Sequence, residues 1–373
     1  MTEESPTIDL SEPFSFTTVK RIGYVDIAKG IGIVLVVMGH NDFSLISPFA
    51  YKLIYSFHMP MFFFMSGMFF KPDMPFWAFV RRRFDRVLKP FLFTLLLIYF
   101  MSISFSKVSI LVATRRLLKA LYGNGHYLDW VQLWFLPHLF VVSLFAYVFI
   151  QAIRRTRLFP FRWMVLAITY IAGVLGLALF WPFEFTLIGK DFIVYGLPFS
   201  LDIVFVSGFF FILGYELHKN LNASLFGNVW ILFISAISLI VLAWYFPSTV
   251  DLNTRLFGSA LINTLEALLG ITFILAISKQ IEKSDILSAI FKYIGQVSLI
   301  ILVFQVPIQD YWGQKILALT SNLPFSYWMS FVAGVLGPIV IHALFIRPNP
   351  IMRKWFSQPA PQESRQPAAT VFE

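Results

Sequence analysis

Three side chains able to carry charge or protons fall near the start of the chain, in Tyr24-Val-Asp26-Ile-Ala-Lys29-Gly-Ile-Gly-Ile-Val-Leu-Val-Val-Met-Gly39-His40. On a helix, Lys29 and His40 point within about 20° of each other, and Asp26 within about 40° of His40, so all three share one face. Lys29 and His40 are then about 16 Å apart along the axis. That makes a polar track with an imidazole at its far end, and imidazole is the side chain suited to proton transfer near neutral pH. The same residues admit a plainer reading, in which Asp26 and Lys29 form an i,i+3 pair near an interface and His40 caps the helix. A second histidine, His58, follows in Tyr55-Ser-Phe-His58-Met-Pro60-Met-Phe-Phe-Phe-Met-Ser66-Gly67. Pro60 frees a carbonyl one turn earlier, and Ser66 and Gly67 permit close helix packing. Two such histidines in consecutive apolar helices favour a site over a packed core.

A basic cluster comes next: Arg81, Arg82, Arg83, Arg86 and Lys89. It reads either as an orientation signal lying on anionic lipid or as a phosphate clamp, since guanidinium groups grip phosphate with two hydrogen bonds. His138, behind Trp134-Phe-Leu-Pro137, favours a packing role. Asp202, Glu266, Gln305 and Asp310 are candidates to line the same cavity, whereas Glu216 and His342 lie nearer helix ends and are expected to pair or snorkel. None of the six histidines has an aspartate five positions on, and no G-x-S-x-G elbow or P-loop occurs. With no cysteine, thiolate nucleophiles, disulfides and cysteine-held metals are excluded, and no metal site is expected.

The elements that must position these residues are set by composition. Of 373 residues, 58% are hydrophobic, 18% aromatic and only 13% charged. Soluble domains carry about 25% charged residues, and 44 Phe and 10 Trp exceed what one aqueous core hides. The fold class is therefore all-α, a polytopic integral membrane protein. A window of about 20 apolar residues gives ten spans, near 22–40, 49–70, 88–106, 131–151, 162–181, 200–217, 228–246, 257–277, 293–312 and 325–346. With the N-terminus inside, 20 of the 29 basic residues fall on the cytoplasmic side and 7 outside, which predicts both termini in the cytoplasm. The net charge of +9 is read as topology, not as a nucleic-acid footprint. Residues 1–20 form a cytosolic tail without a basic signal-peptide start; 21–347 form one membrane domain; 348–373 form a cytosolic, disordered tail. Segment 107–130 is either an amphipathic surface helix or a miscounted span. Met74–Arg86 is expected at the interface, with Phe76, Trp77, Phe79 and Val80 towards lipid.

These motifs together resemble the membrane acyltransferase-3 family. The Asp26 to His40 stretch looks like its first helix, including the basic-x10-His spacing, and Phe57-His58-Met-Pro60 to Gly67 resembles the second helix of its fucose 4-O-acetylase-like branch. The arginine cluster ending at Pro90, Trp134-Phe-Leu-Pro137, Leu197-Pro198 with Asp202, Phe209-Phe-Phe-Ile-Leu-Gly214-Tyr215 and Gly295-Gln-Val-Ser298-Leu299 follow in family order. The chain departs from the family in having Lys29 where arginine is common, Gln305 where relatives often carry histidine, and no esterase-like extracytoplasmic domain.

The resemblance implies transfer of an acyl group, usually acetyl, from cytosolic acetyl-CoA to a hydroxyl of a surface glycan or lipid-linked saccharide, at a bacterial inner membrane. It implies acyl-CoA as donor substrate with no permanently bound cofactor, membrane lipids as surroundings, and no nucleic acid partner. His40 would be the base or transient acyl carrier, with Asp26 orienting Lys29 and His58 orienting the acceptor or sharing the proton transfer. Lys29, Arg81, Arg82, Arg83 and Arg86 would hold the phosphates of coenzyme A. The competing class is a transporter or flippase of an acyl donor or lipid-linked saccharide; glutamine at position 40 would serve a transporter but not a base catalyst.

Overall fold

The computed structural model describes residues 23–40, 42–187, 189–218, 223–246 and 250–356. The tail expected over 1–20, Arg21, Lys219 and the residues from Ser357 onward lie outside the described residues.

The chain begins with α1 (Gly23–Gly39), a short α2 (Phe43–Ile46) and α3 (Pro48–Met68). Helix α4 (Phe76–Arg83) passes through a π-helical turn (Phe84–Leu88) into α5 (Lys89–Ser104). Then come α6 (Ile110–Ala120), α7 (Phe135–Arg155), α8 (Arg162–Phe180), α9 (Val204–His218), α10 (Val229–Tyr245) and α11 (Ala260–Ile281). The last are α12 (Asp285–Gln296), α13 (Ser298–Thr320), α14 (Leu323–Ile341) and α15 (Pro350–Trp355). Two antiparallel hairpins interrupt them: β1 (Phe183–Leu187) with β2 (Lys190–Val194), and β3 (Val250–Asp251) with β4 (Leu256–Phe257).

Each of the ten expected spans holds a helix, but they are not alike. Among the described residues, six helical runs are long and apolar enough to cross a membrane, and a seventh is added if α12 and α13, bent by 76°, form one broken span. Helices α1 and α10 have 17 residues each, and α3 dilutes its apolar run with Lys52, two tyrosines, two serines and His58. Helix α1 is the central one: Val25, Ile27, Ala28 and Val37 are fully buried, and α3, α11, α12 and α13 pack around it.

Two crossings made by glycine fix this centre. A Cβ on Gly30 would overlap the carbonyl oxygen of Phe291, and one on Gly295 that of Asp26, so α1 and α12 touch backbone to backbone. Gly67 and Gly214 do the same for α3 and α9, against the carbonyls of Phe211 and Phe64. Small residues at such crossings let dispersion and weak polar contacts act over the whole interface.

Two expectations are corrected, and one that left two alternatives open is settled. In α4, Phe76 and Trp77 are exposed, but Phe79 is buried, stacked on Tyr147 at 4.9 Å and edge-on to Phe70 at 5.4 Å. Two residues past Trp77, about 200° round the helix, it faces inward. Segment 107–130 contains α6, whose 11 residues are too few for a span; Ile110, Leu111 and Leu118 are exposed beside Arg115, Arg116 and Lys119, the amphipathic alternative. The tail expected to be disordered from 348 is helical over Pro350–Trp355, because Trp355 stacks on Phe93 at 5.1 Å and Phe356 is buried between Phe93 and Phe304.

Beyond α7 and α9, three connecting segments are bolted into a cap. Tyr122 donates to Gly196 O at 2.9 Å, Phe199 N donates to Tyr122 O at 2.8 Å, and Leu197 N donates to Asp202 Oδ1 at 2.8 Å. Arg255 completes the joint. Its Nε and Nη2 reach the two oxygens of Asp202 at 2.8 and 3.1 Å, with side chains 5% and 2% exposed. Gly196, at φ 138°, permits this: a Cβ there would overlap the guanidinium.

Candidate active site

A cavity of about 480 Å³ lies between α1, α3, the π-helical turn, the start of α7 and the α12–α13 bend, within the size range of small-molecule sites. Lys29, Ile33, Val36 and His40 line it from α1, the i, i+4, i+7, i+11 stripe of a single helix face. Tyr55, His58, Met59, Phe62 and Ser66 line it from α3. The polar track expected along α1 is therefore one wall of a cavity, about 16 Å from Lys29 to His40.

At the histidine end both imidazoles are fixed in the same way. His40 Nδ1 donates to Val36 O at 2.6 Å, and His58 Nδ1 donates to Ile54 O at 3.0 Å. A carbonyl can only accept, so in the neutral ring the proton sits on Nδ1 and Nε2 keeps its lone pair. The Tyr55 ring packs edge-on against His58 at 4.7 Å, and its hydroxyl donates to Gly39 O at 3.3 Å, which ties α3 to the end of α1. The walls between the two ends are apolar: Ile33, Val36, Met59, Phe62 and Leu302.

At the other end the cations are sorted. Lys29 and Arg86 line the cavity; Lys29 is 3.7 Å from Asp26 and lies 4.3 Å over the Phe69 ring. Asp26 meets Lys29 without lining the cavity. Arg81, Arg82 and Arg83 do not line it either, and Arg83 is held 5.7–5.9 Å from the ring centres of Phe211, Phe79 and Phe70. Lys89 pairs with Asp85 at 3.4 Å. Of the expected phosphate clamp, only Lys29 and Arg86 face the space where a ligand fits.

His138 is fully buried with both nitrogens used, Nδ1 donating to Phe199 O at 3.1 Å and Nε2 accepting from Ser207 Oγ at 2.8 Å; this is the packing role its sequence context favours. The four carboxylates and amides expected in the same cavity are elsewhere. Asp202 is held in the cap by Arg255. Glu266 and Gln305 are buried outside the lining, with no hydrogen-bond partner for their side-chain oxygens. Asp310 is exposed. Helical period alone does not say which face of α11 or α13 meets the cavity. Glu216 pairs with Arg162 at 3.3 Å, and His342 Nδ1 meets the Tyr293 hydroxyl at 3.3 Å.

Three lining residues escaped the sequence reading. Gln132 donates to Val303 O at 2.9 Å, while its Oε1 has no partner. Asp251, at the end of β3, and Asn253, in the turn after it, also line the cavity, with Asp251 near enough to His40 to interact electrostatically. Asp251 Oδ1 accepts from Asn253 N at 2.9 Å and Thr254 N at 3.4 Å. The Asp-Leu-Asn-Thr string is a legible turn signal, but nothing local says that the turn folds over the end of α1. Among the described residues no group of three or more His, Asp or Glu is placed to hold a metal ion.

Chemically, the arrangement offers cations at one end, imidazole bases at the other, and an apolar-walled passage between them. A family model described as an acyltransferase domain matches residues 22–347. No curated protein and no solved structure matches the chain.

Proposed function

Because this chain belongs to the acyltransferase-3 family and is an acyl-transferring enzyme of membrane type, we propose that it moves an acetyl group from cytosolic acetyl-CoA to a hydroxyl of a surface glycan or lipid-linked saccharide. We place it in a bacterial inner membrane, with ten membrane-crossing or membrane-buried helices and both termini in the cytoplasm. The observation that carries the reading is the single cavity joining Lys29 and Arg86 to His40 and His58.

In this reading Lys29 and Arg86 hold coenzyme A phosphate by charge-assisted hydrogen bonds, and the thioester arm runs along the apolar walls towards the histidines. His40 Nε2, its tautomer set by Val36 O, accepts the proton of the acceptor hydroxyl as that oxygen attacks the thioester carbonyl carbon. The C–O bond forms, the C–S bond breaks, and the proton passes from His40 to the departing sulfur, giving an ester and free coenzyme A thiol. His58 orients the acceptor. Asp26 steadies Lys29. The apolar passage excludes water, which strengthens the electrostatics and suppresses hydrolysis.

The test is acyl transfer from radiolabelled acetyl-CoA by the purified protein in liposomes, in the presence of a panel of glycan acceptors. His40→Gln is expected to lower the rate by about 10²–10⁴, the usual worth of a general base. Arg86→Ala is expected to raise the KM for acetyl-CoA by about tenfold or more, since a hydrogen bond to a charged group contributes roughly 1.5–3 kcal/mol, whereas Arg83→Gln leaves that KM within twofold. Intact thioester in wild type despite measured donor binding and every acceptor of the panel would refute the proposal in favour of transport.

A further inference from the structure

A helix leaves its last four carbonyls without an intrahelical partner, and where water is excluded each must find another donor. At the end of α1 these carbonyls belong to Val36, Val37, Met38 and Gly39, and four side chains serve them one apiece. His40 Nδ1 donates to Val36 O at 2.6 Å, Gln309 Nε2 to Val37 O at 2.9 Å, the Tyr327 hydroxyl to Met38 O at 2.6 Å and the Tyr55 hydroxyl to Gly39 O at 3.3 Å. Beyond the helix, the one backbone N–H among the described residues that reaches any of them is His40 N, 3.4 Å from Val37 O.

Two of these donors come from far along the chain. Gln309 on α13 and Tyr327 on α14 are buried, do not line the cavity, and lie 272 and 289 residues from the carbonyls they hold. The packing is built round them. Gly334 leaves the space that the Gln309 side chain fills, since a Cβ there would come within 2.5 Å of Gln309 Cγ and 3.1 Å of Val37 Cγ1. The Tyr327 ring stacks on Phe43 at 5.3 Å, which aims its hydroxyl at α1. The four carbonyls are consecutive, so a stranded Val37 O or Met38 O would sit within one turn of the Val36 O that holds the imidazole proton. It would compete for that proton or pull the turn open, because a buried carbonyl left without a donor is costly.

We propose that Gln309 and Tyr327 are positioning residues for His40: by occupying Val37 O and Met38 O they leave Val36 O as the acceptor for the Nδ1 proton, and so keep Nε2 bare and the ring fixed on the cavity wall. That His40 Nε2 then acts as a base rests on the acyltransferase reading above; that Gln309 and Tyr327 set its tautomer does not.

The experiment is nitrogen NMR on the full chain in nanodiscs with isotope-labelled histidine, the His40 signal among the six histidines being the one lost in His40→Gln. At alkaline pH, where imidazole is neutral, the chemical shifts of the two ring nitrogens report which one carries the proton, and in wild type it should be Nδ1. Tyr327→Phe keeps the ring on Phe43 and removes only the hydroxyl. Gln309→Met keeps the side-chain length and removes the donor together with an Oε1 that has no partner. Each change should lower the ratio of Nδ1–H to Nε2–H at His40 by about three- to tenfold, the worth of one hydrogen bond. It should also lower kcat for acyl transfer by about tenfold as the base moves off line, with the KM for acetyl-CoA within twofold because Lys29 and Arg86 lie at the other end of the cavity. Ser326→Ala is the control: it removes a hydroxyl bond within the same helix pair, to Gly313 O at 2.6 Å, and should lower the melting temperature without moving the ratio or kcat. An unchanged ratio in the Tyr327→Phe/Gln309→Met double variant, or an equal fall in Ser326→Ala, would overturn the proposal, and a lower ratio with wild-type kcat would remove its part in transfer. No acyl transfer by wild type to any acceptor would remove the acyltransferase reading, while the ratio still decides whether Gln309 and Tyr327 set His40.

Discussion

The Asp202–Arg255 pair gives the sharpest energetic prediction, because it is buried and bolts a site-lining turn to the helices. Asp202→Asn removes the counter-charge of a guanidinium that is 5% exposed and cannot lose its proton. Breaking a buried pair by deleting one partner costs about 3–5 kcal/mol, since the remaining charge stays desolvated. At about 2 °C per kcal/mol for a large domain, the melting temperature should fall by roughly 6–10 °C, read by intrinsic fluorescence of the 10 tryptophans. Replacing both charges, Asp202→Asn with Arg255→Gln, should recover about 1–3 kcal/mol relative to the sum of the single changes. Activity should fall in the single variants even well below melting, because Arg255 also holds Asn253 O and with it the turn carrying Asp251. An Asp202→Asn protein melting within about 2 °C of wild type, or a double variant no better than additive, would show that the pair does not fix the cap.

Three further outcomes are expected. Asp251→Asn keeps an oxygen for the turn amides but removes the carboxylate that acts on His40, so kcat should drop by about tenfold, a change of about 1.4 kcal/mol in the barrier, with the KM for acetyl-CoA unchanged in steady-state assays. Gly67→Ala drives a methyl group into the Phe211 carbonyl and should cost about 1–3 kcal/mol by overpacking, seen as lower melting temperature together with lower activity, because α3 also carries His58. His138→Ala empties a fully buried ring site and strands the Phe199 carbonyl, while the Ser207 hydroxyl turns to Ile203 O at 3.0 Å, and should destabilise by about 2–4 kcal/mol, while the molecules that remain folded keep their KM for acetyl-CoA within twofold.

Much of the site could be read along single helices. The face shared by Lys29 and His40, the close packing of Gly67, and the pairing of Glu216 near a helix end follow from the 3.6-residue period and the cost of stranding charge in lipid. The arginine cluster could not be resolved that way. A π-helical turn over Phe84–Leu88 shifts the helix face between Arg83 and Arg86, leaving one among phenylalanine rings and the other on the cavity wall.

The sequence by itself determined that the chain is helical and built for lipid, and which residues of α1 share the face that lines the cavity, because composition and period are local properties. Only the tertiary structure decided that Asp251 and Asn253 line the cavity, that Asp202 serves the cap and not the cavity, and that α13 and α14 hold the end of α1. Those facts depend on pairings such as Arg255 with Asp202, 53 residues apart, whose energy exists only once packing has excluded water from both partners.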